Sequence, residues 1–178
     1  AKLANNMNKE FSGKSALVTG AGRGIGRGCA LALAAGGAKV TVVSRSVAEL
    51  ESVVAEIQAL GGEARAIGCD VTKDAELERL FSQLERCDVL VNNAGGNQPE
   101  PFLAVEPGTL DRLLQLNVRS MFLCAQHAAR LMVAQGGGVI INMSSQMGHV
   151  GAANRTVYCM TKHAIEGLTR AMAVELGP

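Results

Sequence analysis

Two hydrophobic rhythms alternate along the chain. Short apolar runs at Ser15–Thr19, Lys39–Val43, Ala64–Gly68, Asp88–Val91 and Gly138–Met143 show little polar alternation, which predicts strands buried on both faces. Between them the apolar positions switch to helical spacing. Val47, Leu50, Val53, Val54, Ile57 and Leu60 mark a helix stopped by Gly61-Gly62, and Leu77, Leu80, Phe81 and Leu84 mark another over Asp74–Leu84. Gly24–Ala35 predicts a helix after the first strand, Pro107 starts a long one reaching about Gln135, and a last one begins near Thr156.

Strictly alternating strand and helix makes this an α/β chain with a parallel sheet covered on both faces. Right-handed crossovers then give a doubly wound sheet, which takes ligands beyond the carboxyl ends of its strands, near the point where strand order reverses. One domain over residues 1–178 is expected.

Composition narrows the class. Apolar residues are 48% and charged ones 19%, as in a packed domain. A net charge of +1 without a basic block gives no electrostatic surface for nucleic acid. No apolar stretch approaches the ~20 residues needed to span a bilayer, and Ala1 to Ser12 is polar, so no membrane association and a cytoplasmic location are expected. Cys29, Cys69, Cys87, Cys124 and Cys159 show neither Cys-x-x-Cys nor a Cys/His cluster, so they read as reduced, mostly buried small hydrophobes and no metal is expected. Aromatics are only 3% while Gly numbers 21, so close backbone packing must replace large rings.

The strand exits carry the polar chemistry. The first runs through Thr19-Gly20-Ala21-Gly22-Arg23-Gly24-Ile25-Gly26 into a helix, where glycines allow a pyrophosphate to approach free N–H groups at the helix N-terminus. Its Gly20-x-x-x-Gly24-x-Gly26 spacing differs from the common Gly-x-Gly-x-x-Gly fingerprint and from a Walker loop. At the second exit a carboxylate would read an unphosphorylated ribose, but the chain has Ser44-Arg45-Ser46 and no acid before Glu49. Arg45, with Arg23 as a second cation, instead suits a 2′-phosphate. Asp70, before Val71, could accept from an adenine amino group or cap the helix starting near Lys73. Asn92-Asn93-Ala94-Gly95 lets a ligand ring lie near the backbone, or is an Asx turn. Asn117 lies inside the long helix, where it either bonds water and backbone or faces solvent. Ser144-Ser145 ends the fifth strand.

Tyr158 and Lys162 stand four residues apart, about one helical turn or roughly 6 Å of rise, so both leave one helix face. A phenol grips its proton at neutral pH, and a neighbouring cation favours the phenolate, which makes such a pair a candidate acid/base.

Taken together, Thr19-Gly20-x-x-x-Gly24-x-Gly26, Asp70, Asn92-Asn93-Ala94-Gly95, Asn117, Ser145 and Tyr158-x-x-x-Lys162 resemble the short-chain dehydrogenase/reductase family from about Lys14 to the end. The resemblance implies a Rossmann-like fold and NAD(P)-dependent carbonyl–alcohol interconversion. Tyr158 would pass a proton to the carbonyl oxygen, Lys162 would favour the phenolate and hold the nicotinamide ribose, Ser145 rather than Ser144 would polarise the carbonyl, and Asn117 would hold a relay water. Cofactor contacts would come from Gly20, Arg23, Gly24, Ile25 and Gly26, from Ser44 and Arg45, from Asp70 and Val71, and from Asn93, Ala94 and Gly95, besides Tyr158 and Lys162. Serine followed by Arg45 resembles the NADP(H)-preferring branch, with NAD(H) as an alternative.

Many relatives are homotetramers built partly on the two long helices that here include Asn117 and Tyr158, so a homo-oligomer, tetramer or dimer, is expected. Family members usually continue through two further strands and a substrate-covering segment, and carry a longer link before the fourth strand than Ser82 to Cys87. The fold is therefore expected to lack those C-terminal strands and to be truncated or incomplete. Expected activities are an NADP(H)-dependent reductase of a small-molecule ketone or 3-oxoacyl group, an NAD-dependent alcohol, polyol or sugar dehydrogenase, or a non-catalytic nucleotide-binding regulator. His149 and Arg155 are the only decisive charges in the loop Gln146 to Thr156 beside the substrate.

Overall fold

The computed structural model describes residues 10–177. Strands β1 (Ser15–Thr19), β2 (Lys39–Ser44), β3 (Glu63–Gly68), β4 (Val89–Asn92) and β5 (Val139–Asn142) form one parallel sheet in the order β3-β2-β1-β4-β5. Helices α1 (Gly24–Ala35), α2 (Val47–Ala59), α3 (Asp74–Ser82), α4 (Pro107–Leu114), α5 (Ser120–Gln135) and α6 (Thr156–Leu176) connect and flank them.

Strand alternation explains why the runs are continuously apolar. In β1, Ala16 and Val18 enter one core with Val40, Val42, Leu50 and Ile57 under α1 and α2. Leu17, between them, enters the opposite core with Leu77, Leu80, Leu90 and Ala128 under α3 and α5. β4 repeats this, with Val89 and Val91 on the first side and Leu90 on the second. Each fully buried Leu or Ile contributes about 1.5–3 kcal/mol of transfer free energy, so both faces of every central strand hold the sheet.

Element ends differ slightly from the sequence expectation. The α3 helix stops at Ser82 because Gln83 and Leu84 donate to Leu80 and Phe81, tightening the last turn, although Leu84 stays buried. Ordinary helix does not run unbroken from Pro107 to Gln135. A π-helical turn at Gln115–Arg119 separates α4 from α5, and Ser120 N–H reaches back to Gln115 O. The carbonyl passed over by that longer step, Leu116 O, accepts from the Ser120 hydroxyl at 2.6 Å.

Strand order reverses between β1 and β4, because β1 is followed by neighbours on one side and β4 opens the other. Their carboxyl ends are joined there: Thr19 Oγ1 accepts from the N–H groups of Asn93 and Ala94, each at 3.0 Å. Among the described residues no helix is long and apolar enough to cross a membrane, and no group of three metal-ligating side chains occurs. All five cysteines are free thiols, and four are buried.

Candidate active site

A cleft of about 460 Å³ opens over the switch point. Gly20 forms its floor with φ at 64°, and a Cβ there would come within 2.9 Å of Asn93 Nδ2 and 3.0 Å of Ala94 Cα, so only glycine permits the turn. The Asn93 side chain donates to Thr19 O at 3.0 Å and Gly20 O at 3.2 Å, spending its amide on the turn rather than on the cleft. Beyond the turn α1 begins at Gly24, with φ at 57°, and Gly26 is buried in its first turn. Arg23 at the N-cap position makes no side-chain cap bond, and the first turn holds no acid. The first N–H groups of α1 are therefore left to an anion, and the exposed side chain of Ile25 lies beside them. A pyrophosphate fits this arrangement.

Ser44, Arg45, Asp70 and Val71 line the cleft on the side of the β2 and β3 exits, and Ala94 and Gly95 line it on the side of the β4 exit. Asp70 does not cap α3, whose N-cap residue is Lys73; its Oδ1 instead accepts from Thr72 N at 3.0 Å and Thr72 Oγ1 at 2.8 Å. Burial raises the Asp70 pKa, but the Thr72 hydrogen bonds together with Arg45 and Lys73 outweigh it and hold the carboxyl below its usual range. Cys69, Leu116 and Glu49 also line the cleft.

Beside the cleft rather than in its lining, Tyr158 and Lys162 stand on α6. Tyr158 is half-buried on its first turns, and Lys162 is 4% exposed with Nζ 5.7 Å from the Tyr158 ring centre. Lys162 Nζ donates to Met143 O at 2.6 Å, at the exit of β5, and burial lowers its pKa. Two further ammonium protons remain to be shared above that anchor. A Cβ on Gly95 would lie 4.0 Å from Lys162 Nζ and 3.2 Å from Asn117 Oδ1, which places the fourth strand exit beside both.

Asn117 is fully buried and does not face solvent; the π turn directs it inward. Its Oδ1 accepts from Gly96 N at 2.8 Å, and its Nδ2 donates to Gly96 O at 2.8 Å and Thr161 Oγ1 at 3.1 Å. Thr161 in turn donates to Tyr158 O at 2.8 Å. The π turn, the β4 exit and α6 thus share one polar network.

The two serines after β5 are separated by their partners. Ser144 Oγ turns to α6, lying 3.5 Å from Lys162 O, and its hydrogen bond with Glu166 holds that carboxyl below its usual range. Ser145 Oγ faces the loop and accepts from Met147 N at 3.2 Å. That loop is tied to the segment after β4, since Glu100 N donates to Asn154 O at 3.0 Å. The His149 imidazole lies 3.4 Å from the Glu166 carboxylate.

Two participants escape a reading by motif. Thr161 is a fully buried hydroxyl that links Asn117 to Tyr158 O, and a lone threonine gives no sequence signal of that. Glu49 had one: Ser46-x-x-Glu49 has capping-box spacing, which draws attention to helix termination rather than to a ligand.

The chain matches the family model described as short chain dehydrogenase over residues 14–178. It is 42% identical over 173 residues to L-xylulose reductase of Mesocricetus auratus, covering 97% of this chain and 69% of the reductase. A solved 7 alpha-hydroxysteroid dehydrogenase, complexed with NADH and 7-oxo glycochenodeoxycholic acid, superposes with a TM-score of 0.91 at 41% identity, covering 97% of this chain and 69% of that one. A metagenomic short-chain oxidoreductase in complex with NADP superposes at 0.90 with 37% identity, covering 94% and 78%. The parallel sheet, the glycine turn at its switch point and these similarities lead to one conclusion: the chain belongs to the short-chain dehydrogenase/reductase family of NAD(P)-dependent oxidoreductases.

Proposed function

We propose that the chain interconverts a small-molecule carbonyl and its secondary alcohol, using NADP(H) in preference to NAD(H), with Tyr158 as general acid and base. The observation that carries this reading is the buried Lys162 ammonium, fixed by Met143 O and 5.7 Å from the Tyr158 ring. A protein that only binds nucleotide has no use for a buried cation beside a phenol, which argues against a regulatory role.

In the reducing direction Tyr158 gives its phenolic proton to the carbonyl oxygen, and in the reverse direction it takes that proton back. Lys162 favours the phenolate so formed, and Ser145 Oγ donates to the same carbonyl oxygen. Asn117, whose Oδ1 keeps a second lone pair after taking Gly96 N–H, holds a water that returns the proton behind Lys162. A bound nicotinamide supplies or accepts the hydride. Its dinucleotide would lie over Gly20 and Gly24 to Gly26, with Arg23 and Arg45 toward the 2′-phosphate, Ser44, Asp70 and Val71 near the adenosine, and Asn93 to Gly95 beneath the ring side.

The substrate is proposed to be a ketose or a related hydroxylated ketone, supported by the similarity to L-xylulose reductase. A second reading, an NAD-dependent polyol or sugar dehydrogenase, is favoured by one observation: a carboxylate, Glu49, lines the cleft beside Ser44. A homo-oligomer, dimer or tetramer, is supported by the half-exposed Phe122 on the outer side of α5 beside Leu114 and Val118. A cytoplasmic location belongs to the same reading and is supported by five free cysteines, which suit a reducing compartment. Assays of the purified protein against ketoses, polyols, hydroxysteroids and 3-oxoacyl thioesters with both cofactors test the proposal. Turnover of a ketone with NADPH supports it, and cofactor binding without turnover anywhere in the panel refutes it.

A further inference from the structure

The geometry points to Glu49 as the residue that sets the balance between NADP(H) and NAD(H), by competing with a 2′-phosphate for Arg23. This rests on the placement of the cofactor proposed above. Ser46 Oγ accepts from Glu49 N at 3.4 Å, which is one half of a capping box. The other half would return the Glu49 carboxylate to Ser46 N–H. Instead the carboxylate leans over the glycine loop: a Cβ on Gly22 would come within 2.6 Å of Glu49 Oε2 and 3.3 Å of Ser44 Oγ. There Glu49 Oε1 stands 3.9 Å from Arg23 Nη1.

Residues of both charge signs therefore share the wall at Ser44, with Arg23 and Arg45 against Glu49. The Arg23–Glu49 pair is long, and its side chains are 87% and 43% exposed, so it is weak enough to be exchanged. A phosphate dianion draws Arg23 away and meets Glu49 as a like charge, whereas a ribose 2′-hydroxyl offers Glu49 a donor. One side chain thus opposes the phosphorylated cofactor and favours the other, in a cleft whose Ser44-Arg45 pair points the opposite way.

Fluorescence titration of the purified protein with NADPH and NADH reads this directly, because the two cofactors differ only at the phosphate. Glu49→Gln is expected to lower the ratio of the NADPH to the NADH dissociation constant about fivefold, the effect of one charge near a surface site. In an Arg23→Gln background the same change should move the ratio about twofold or less, since the cation that Glu49 and the phosphate compete for is gone. A ratio that does not move with Glu49→Gln, or a shift of equal size in both backgrounds, overturns the assignment. Arg45→Asp separates the two levels: if it leaves NADPH binding intact, the proposed phosphate site fails, whatever Glu49→Gln does.

Discussion

Asn117 Nδ2 donates to Thr161 Oγ1 at 3.1 Å, across 44 residues of sequence, and so ties the π turn to the helix that carries Tyr158 and Lys162. Both groups are fully buried. The threonine hydroxyl passes the link on to Tyr158 O, so the first turn of α6 is held in place relative to the β4 exit. Thr161→Val keeps the shape and removes the hydroxyl. We expect it to lower stability by about 1–3 kcal/mol, measured by urea unfolding, because buried donor and acceptor groups lose their partner. Turnover should fall along with it; unchanged stability and turnover would show that the link is dispensable.

Tyr158→Phe removes the phenolic proton and little else. Turnover should drop about 10²- to 10⁴-fold, the usual contribution of a positioned acid, while NADPH titration stays nearly unchanged. A variant that keeps its turnover number would remove Tyr158 from the acid role.

Arg45→Asp addresses the cofactor. The expected outcome is NADPH binding weakened about ten- to a hundredfold, with NADH binding changed far less, as measured by the two dissociation constants. Equal losses for both would refute a phosphate contact at Arg45.

The acid limb of stability should trace to Asp88. Its carboxylate accepts from Arg86 Nε at 2.8 Å and Nη2 at 2.7 Å and from Ser15 N at 2.9 Å, and Lys14 lies at 3.5 Å. Arg86 above all lowers its pKa from 3.8 to about 2. Because the folded value is the lower one, the stabilisation is fully present above the unfolded pKa near 4 and is lost as pH falls through about 2. Asp88→Asn should therefore cost about 2 kcal/mol at pH 7 and almost nothing at pH 2, read from urea midpoints at both. A constant difference across that range would exclude the assignment.

Phe122 tests assembly. Phe122→Asp places a charge on the apolar outer face of α5, where Phe122 is 47% exposed. Light scattering behind size exclusion should show a smaller species than the parent protein. An unchanged mass would place any interface elsewhere.

Local pattern determined much of this protein. Continuous apolar runs at Ala16–Val18 and Val89–Val91 marked strands buried on two faces, and their strict alternation with helices led to a doubly wound parallel sheet. Gly20 was legible because its conformation, φ at 64°, belongs to a residue type. Tyr158 and Lys162 were legible because a helix sets their spacing. Tertiary structure decided the rest. Asn117 turned inward only because a π turn adds a residue between α4 and α5, and that insertion answers to contacts with Gly96 and Thr161 rather than to local propensity. Thr19 and Thr161 joined the site by meeting the Asn93 N–H and the Asn117 amide, 74 and 44 residues away, and the Glu49 carboxylate came to lie over the glycine loop. A sequence records which groups can donate, accept or carry charge, but the partner of each is chosen by which strand ends the sheet brings together.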